Sequence, residues 1–211
     1  AFEQYGRGIF YATIGAQMLT GYYWVLSFPL LIIVPFTAFR SLSVEREDGT
    51  HELIAITSLK PHQIVGGKLG SAVLQILLYL SALTPCMAFT YMLRGIDLFL
   101  IVIVIGHVFL ASVFLSIVGL CFGTVTTVRH WQSVLGVIFI LMLVLVFIIG
   151  LIMATNMIPF QPPYQDTAFW PLQFFIATIL IGYGGLFFLG AMARITFDSD
   201  NKSTKLRVGM I

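Results

Sequence analysis

Five long stretches without a single Asp, Glu, Lys or Arg decide what this chain can become: residues 8–39, 69–93, 98–128, 130–165 and 167–193. Crossing a hydrocarbon core of ~30 Å takes about 20 helical residues, and every run exceeds that. Inside lipid each backbone N–H and C=O must find a partner within the protein, so only helices or closed barrels can span. Barrel strands would be about ten residues long with alternating polarity. These runs are far longer and do not alternate. The expectation is an all-α polytopic membrane bundle forming one domain over 1–211. Its transmembrane helices are placed at 12–39, 66–93, 98–127, 132–157 and 172–194. With 59% hydrophobic and only 9% charged residues, the chain lacks the charged surface that keeps a soluble domain of this size dispersed.

Lys and Arg number 11 and Asp and Glu nine, and seven of these charges crowd into Val44 to Lys68: Glu45, Arg46, Glu47, Asp48, Glu52, Lys60 and Lys68. Charge this dense is excluded from hydrocarbon, so the stretch lies in water between the first two helices. Ser43 is placed to cap a helix with Glu45 and Glu47 in its first turn, where carboxylates favour the N-terminus. Leu53, Ile54 and Ile56 give this water-exposed segment an apolar patch. Either a partner surface explains the patch, or the segment lies on lipid headgroups with Arg46 and Lys60 meeting phosphate. Gly49 weakens a helix there by up to about 1 kcal/mol relative to alanine, which marks a bend or a close contact. Pro61 suits the first turn of the second helix, and Lys68 can snorkel at its membrane border.

Within the runs, Pro29 and Pro35 each remove a backbone donor and can kink the first helix, and Thr84-Pro85 is expected to bend the second. Gly66-x-x-x-Gly70 and Gly119-x-x-x-Gly123 both permit close helix approach. Tyr22, Tyr23 and Trp24 read as bundle packing. Cys86 and Cys121, both inside apolar runs, read as packing residues without a disulfide or metal framework. His107 is the only ionisable group deep in a run. It serves as an interhelical hydrogen-bonder or as a polar contact along a substrate path. Beyond the fourth helix, Pro159, Pro162, Pro163 and Pro171 forbid a continuous helix, and Tyr164, Phe169 and Trp170 fit an interfacial aromatic belt.

Basic residues set the orientation. With 40–68 in the cytoplasm, that side holds Arg40, Arg46, Lys60, Lys68, Arg129, Arg194, Lys202, Lys205 and Arg207, leaving only Arg7 and Arg94 outside. This bias follows the positive-inside rule and puts the polar tail 195–211 in the cytoplasm as well. Catalytic motifs fail on inspection. His51-Glu52 is followed at the second ligand position by Ala55, and Lys68 of Gly66-Gly67-Lys68 is followed by Leu69, with His62 where a phosphate loop needs its leading glycine. The chain therefore reads as a non-enzyme without catalytic residues, metal ligands or a bound cofactor, and with no nucleic-acid partner.

The block Glu45-Arg46-Glu47-Asp48-Gly49-Thr50-His51-Glu52-Leu53-Ile54, then Thr57-Ser58-Leu59-Lys60-Pro61, then Ile64 and Gly67-Lys68, resembles the ABC-2 type exporter permease family. That family's pattern runs E-R-E-x-G-T-x-E-L-L, T-P-L-S-P and I-x-x-G-K between two membrane helices. Ser58 stands for the usual proline, Lys60 for the usual serine and Ile54 for the second leucine. The family's first membrane helix does not precede the block here, and the chain begins at Ala1 rather than Met. Six helices are therefore expected in the full-length protein.

The resemblance implies a permease subunit of an ATP-driven exporter in a bacterial inner membrane, paired with a second permease subunit. Each subunit would dock on a separate cytoplasmic P-loop ATPase, which holds the ATP and magnesium. Segment 44–68 would be the coupling helix, with Glu45, Arg46, Glu47, Gly49, Thr50, Glu52, Leu53, Pro61 and Lys68 as its coupling residues. The alternatives are a secondary transporter or channel, which predicts broken helices meeting midway, and a lipid-modifying membrane enzyme drawing its acids from the same block.

Overall fold

A computed structural model describes residues 15, 17–47, 61–92, 97–125, 128–157 and 169–195. All of the secondary structure among them is helical. Helix α1 covers residues 17–47, with a π-wound turn at Pro29–Ile33 followed by the α-helical Val34–Glu47. Then come α2 (Pro61–Met92), α3 (Leu98–Gly123), α4 (Arg129–Met157) and α5 (Phe169–Ile195). All five contain a span long and apolar enough to cross a membrane, between 26 and 29 residues. The chain is an all-α bundle integral to a membrane.

Helix α1 is the post around which the others stand. Half of its membrane window is buried, against 11% for α5. One apolar cluster joins Leu26, Leu30 and Val34 of α1 to Ile76 and Leu80 of α2 and Leu120 of α3. A second joins Leu31 and Phe39 of α1 to Leu115 and Val118 of α3 and to Phe139 and Leu143 of α4. Both clusters draw on α1, α3 and α4, and the first also takes in α2. Lipid is as apolar as these side chains, so close packing and polar contacts between helices carry the assembly.

The two prolines of α1 produce its π turn, and α3 completes it. Val34 N–H donates to the Pro29 carbonyl five residues back. In that register the next donor in line, for the Leu30 carbonyl, is the nitrogen of Pro35, which carries no proton. An unpaired carbonyl in hydrocarbon is costly. Ser112 of α3, fully buried, donates its hydroxyl to the Leu30 oxygen at 2.5 Å. Such π turns persist where the surroundings satisfy them.

Glycines of α3 allow this approach. A Cβ on Gly119 would lie 2.7 Å from the Pro35 carbonyl oxygen, and one on Gly123 would lie 2.7 Å from that of Phe39. The Gly119-x-x-x-Gly123 expectation therefore holds. The Gly66-x-x-x-Gly70 expectation does not: a Cβ on either residue meets nothing within 4 Å among the described residues.

Other boundaries and placements need correcting. Helix α1 runs eight residues past the expected end at Phe39, because Arg40 to Glu47 are compatible with helix and continue it into the aqueous border. Ser43 is consequently no N-cap; it lies inside α1 and its hydroxyl donates to the Arg40 carbonyl one turn back. Helix α3 stops at Gly123, where Thr124 turns the chain and donates its backbone N–H to the Cys121 carbonyl. Tyr23 packs in the core as expected, whereas Trp24 faces outward. Cys86 and Cys121 are free thiols, and Pro85 lies inside a helix that continues to Met92.

Candidate functional site

The charged segment leaves α1 and enters α2 at the same end of the bundle, and a cluster of polar bonds holds that end together. Lys68 of α2 reaches across to α1. Its ammonium sits 2.7 Å from Glu45 Oε1 and 2.8 Å from the Ser41 carbonyl oxygen. Glu45 lies in the last turn of α1, where the helix dipole disfavours a carboxylate. Lys68 supplies the positive charge that this helix end attracts and donates to one of its late carbonyls, as a basic residue at a C-terminus does. Both side chains are largely but not wholly covered, at 18% and 31% exposure. The sequence reading of Lys68 as a snorkelling border residue thus meets a more specific arrangement: it clamps the two helices that flank the charged segment.

A second bond at this end comes from α4. Gln132 is buried, and its Nε2 donates to the Ser43 carbonyl of α1 at 2.9 Å. Arg194 of α5 reaches the Val125 carbonyl just past α3 at 3.4 Å. Deeper in the bundle, the Thr37 hydroxyl of α1, which donates to the Val34 carbonyl at 2.8 Å, lies 3.3 Å from Gln75 Oε1 of α2. Polar groups at this spacing join α1 to α2 at its border and again in its interior.

Of the residues expected to couple to a partner, the structure brings together Glu45 and Lys68. Pro61 opens α2, and Arg46 and Glu47 fall in the final turn of α1. Gly49, Thr50, Glu52 and Leu53 lie outside the described residues, as do residues 48–60 generally and the 196–211 tail. Among the described residues, no three His, Cys, Asp or Glu side chains gather to hold a metal.

His107 sits apart from this rim, towards the other half of the membrane. Its Nδ1 donates to the Ile103 carbonyl one turn back at 2.7 Å. Its Nε2 faces the side-chain amide Oε1 of Gln173 on α5. The pair joins α3 to α5 near a ring contact between Phe99 and Trp170, whose centroids are 5.9 Å apart. His107 is exposed at the bundle surface, and its contact with Gln173 is the interhelical role expected of it. Sequence reasoning missed Gln173, Gln75, Ser112 and Gln132. The available signal was the same for all: a lone amide or hydroxyl inside or beside an uncharged run.

No family model matches this chain, and no curated protein or solved structure matches it either.

Proposed function

We propose that this chain is the membrane-spanning permease subunit of an ATP-driven exporter of the ABC-2 type. In this reading, segment 44–68 is the coupling element, docked on a cytoplasmic P-loop ATPase that binds ATP and magnesium. A second permease subunit completes the pathway, and substrate moves by alternating access. The residue pattern from Glu45 to Lys68 is the basis of the family assignment.

The observation that carries the mechanism is the clamp of Lys68 on Glu45 and Ser41. It fastens the two ends of the charged segment to each other where the segment meets the bundle. A push on the segment is then delivered to α1 and α2 together rather than absorbed by their separation. Because α1 packs on α2, α3 and α4, its displacement reaches most of the bundle. The nine-to-two distribution of basic residues places the clamp on the cytoplasmic side under the positive-inside rule.

The test is co-purification of the full-length protein in mild detergent, with bound partners identified. A stoichiometric P-loop ATPase, lost when Arg46→Glu and Glu52→Arg are combined, is the expected result. Membrane insertion should survive those reversals. Clean protein without an ATPase, under conditions that preserve a known ABC complex, refutes the assignment.

One observation favours a second reading, a secondary transporter. The π turn at Pro29–Ile33 interrupts a spanning helix, and interrupted helices build midplane sites in such proteins. Transport by reconstituted vesicles that persists without ATP but follows an ion gradient would select it.

A further inference from the structure

A cavity of about 240 Å³ opens between α1 and α4 at the end where the charged segment emerges. Its inner wall carries an unusual group. Gln132 is 97% buried by its 3% exposure, and its Oε1 has no hydrogen-bond partner among the described residues. The assignment of oxygen and nitrogen on this amide is fixed, because the other end donates to a carbonyl, that of Ser43, which can only accept. An unpaired buried carbonyl costs stability unless a donor reaches it.

The rest of the lining describes that donor. Arg40 lies exposed on the cavity wall and makes no ion pair among the described residues. Val44 and Val137 are exposed as well, and Val137 belongs to α4, whose membrane window is only 17% buried and so faces lipid. A cation, an unmet acceptor and an apolar rim on the lipid side together match one molecule: a phosphate bearing a hydrogen-bond-donating substituent and an acyl tail. The volume is that of about eight waters at ~30 Å³ each, room for a headgroup rather than for a single bridging water. Oε1 is covered as well as unpaired among the described residues, so a donor reaches it only when the lining shifts.

We infer that this cavity binds the headgroup of a membrane phospholipid. Arg40 takes the phosphate and Gln132 Oε1 accepts from an ethanolamine ammonium or a glycerol hydroxyl. Nothing in this assignment depends on the coupling to an ATPase.

Phosphatidylcholine carries the same phosphate with no donor, which makes it the discriminating probe. The full chain, purified in mild detergent, is titrated with phosphatidylethanolamine, phosphatidylglycerol and phosphatidylcholine of matched acyl chains and read by native mass spectrometry. The first two should bind about five- to tenfold tighter than the third, the worth of one hydrogen bond. Gln132→Leu should bring all three to similar affinity. Because that variant also loses the bond to Ser43, Val137→Trp provides a second test: it fills the lipid-facing mouth, leaves Gln132 in place and should abolish the preference. Equal binding of phosphatidylcholine overturns the inference, and so does a preference that survives Val137→Trp. Glycerol 3-phosphate displacing the lipids at similar concentration would instead make this a site for a free phosphate ester and overturn the membrane source.

Discussion

Replacing Ser112 by alanine should expose how much the π turn of α1 depends on α3. The hydroxyl lost is fully buried and donates at 2.5 Å to a Leu30 carbonyl for which Pro35 offers no proton. Interhelical hydrogen bonds in membranes average only about 0.6 kcal/mol and reach about 1.7, because broken partners usually find substitutes. Here the substitute is absent by covalent structure, so the cost belongs at the upper end, about 1–2 kcal/mol. The reasoning makes a sharper demand in combination with Pro35→Ala. That change restores an N–H five residues beyond Leu30, where the π register calls for one. In the Pro35→Ala background the same Ser112→Ala substitution should cost less than about 0.5 kcal/mol, giving a coupling of about 1 kcal/mol between the sites. Reversible unfolding in mixed micelles titrated with sodium dodecyl sulfate, followed by tryptophan fluorescence, measures all four corners of the cycle. Equal costs of Ser112→Ala in both backgrounds would refute the account, since the missing proline donor would then be irrelevant to the bond.

The remaining expectations can be measured by the same titration. Gly119→Ala and Gly123→Ala each force a Cβ against backbone oxygen at 2.7 Å and should lose about 1–3 kcal/mol, while Gly70→Ala, in open space, should stay within about 0.5; a costly Gly70→Ala would mean that its face is covered. Lys68→Met should lose about 1–2 kcal/mol because both the Glu45 and Ser41 bonds go. Glu45→Gln removes only the charge partner and should cost less than half as much, so equal losses would show that the Ser41 bond contributes nothing. His107→Leu should destabilise by about 1 kcal/mol and be largely rescued by Gln173→Leu; failure of the rescue would mean that the two side chains do not depend on each other.

The spans were legible because hydrocarbon thickness imposes a length and forbids charge, and both constraints are written locally. Pro61 at the start of α2 was legible for the same kind of reason, since its missing donor is harmless in a first turn. The end of α1 was not. Ser43 with two acids behind it fits an N-terminal turn by local chemistry, and the placement of Lys68 beside Glu45 comes from a neighbouring helix. Equivalent-looking glycine pairs also diverged: Gly119 and Gly123 face α1, whereas Gly66 and Gly70 face away from the described helices. A sequence period marks a small face without stating what lies opposite. His107 was legible as a polar oddity, but its partner Gln173 stands 66 positions away, a pairing that only the parallel arrangement of α3 and α5 creates. Glu45 and Lys68 were legible as charges at a membrane border, and their mutual clamp was not.

The Leu30–Ser112 bond spans 82 positions, and that separation has a consequence during synthesis. A ribosome adding about 5–20 residues each second needs roughly 4–16 s to go from one partner to the other. Throughout that interval α1 has been made and its completing hydroxyl has not. The interrupted turn therefore belongs to the finished bundle and cannot be a settled feature of the nascent helix in lipid. Until α3 arrives, α1 must remain beside water, headgroups or a protein surface that lends a proton. A ribosome stalled before Ser112 would leave a helix that lipid alone cannot satisfy, and such a fragment is a natural target for membrane quality control.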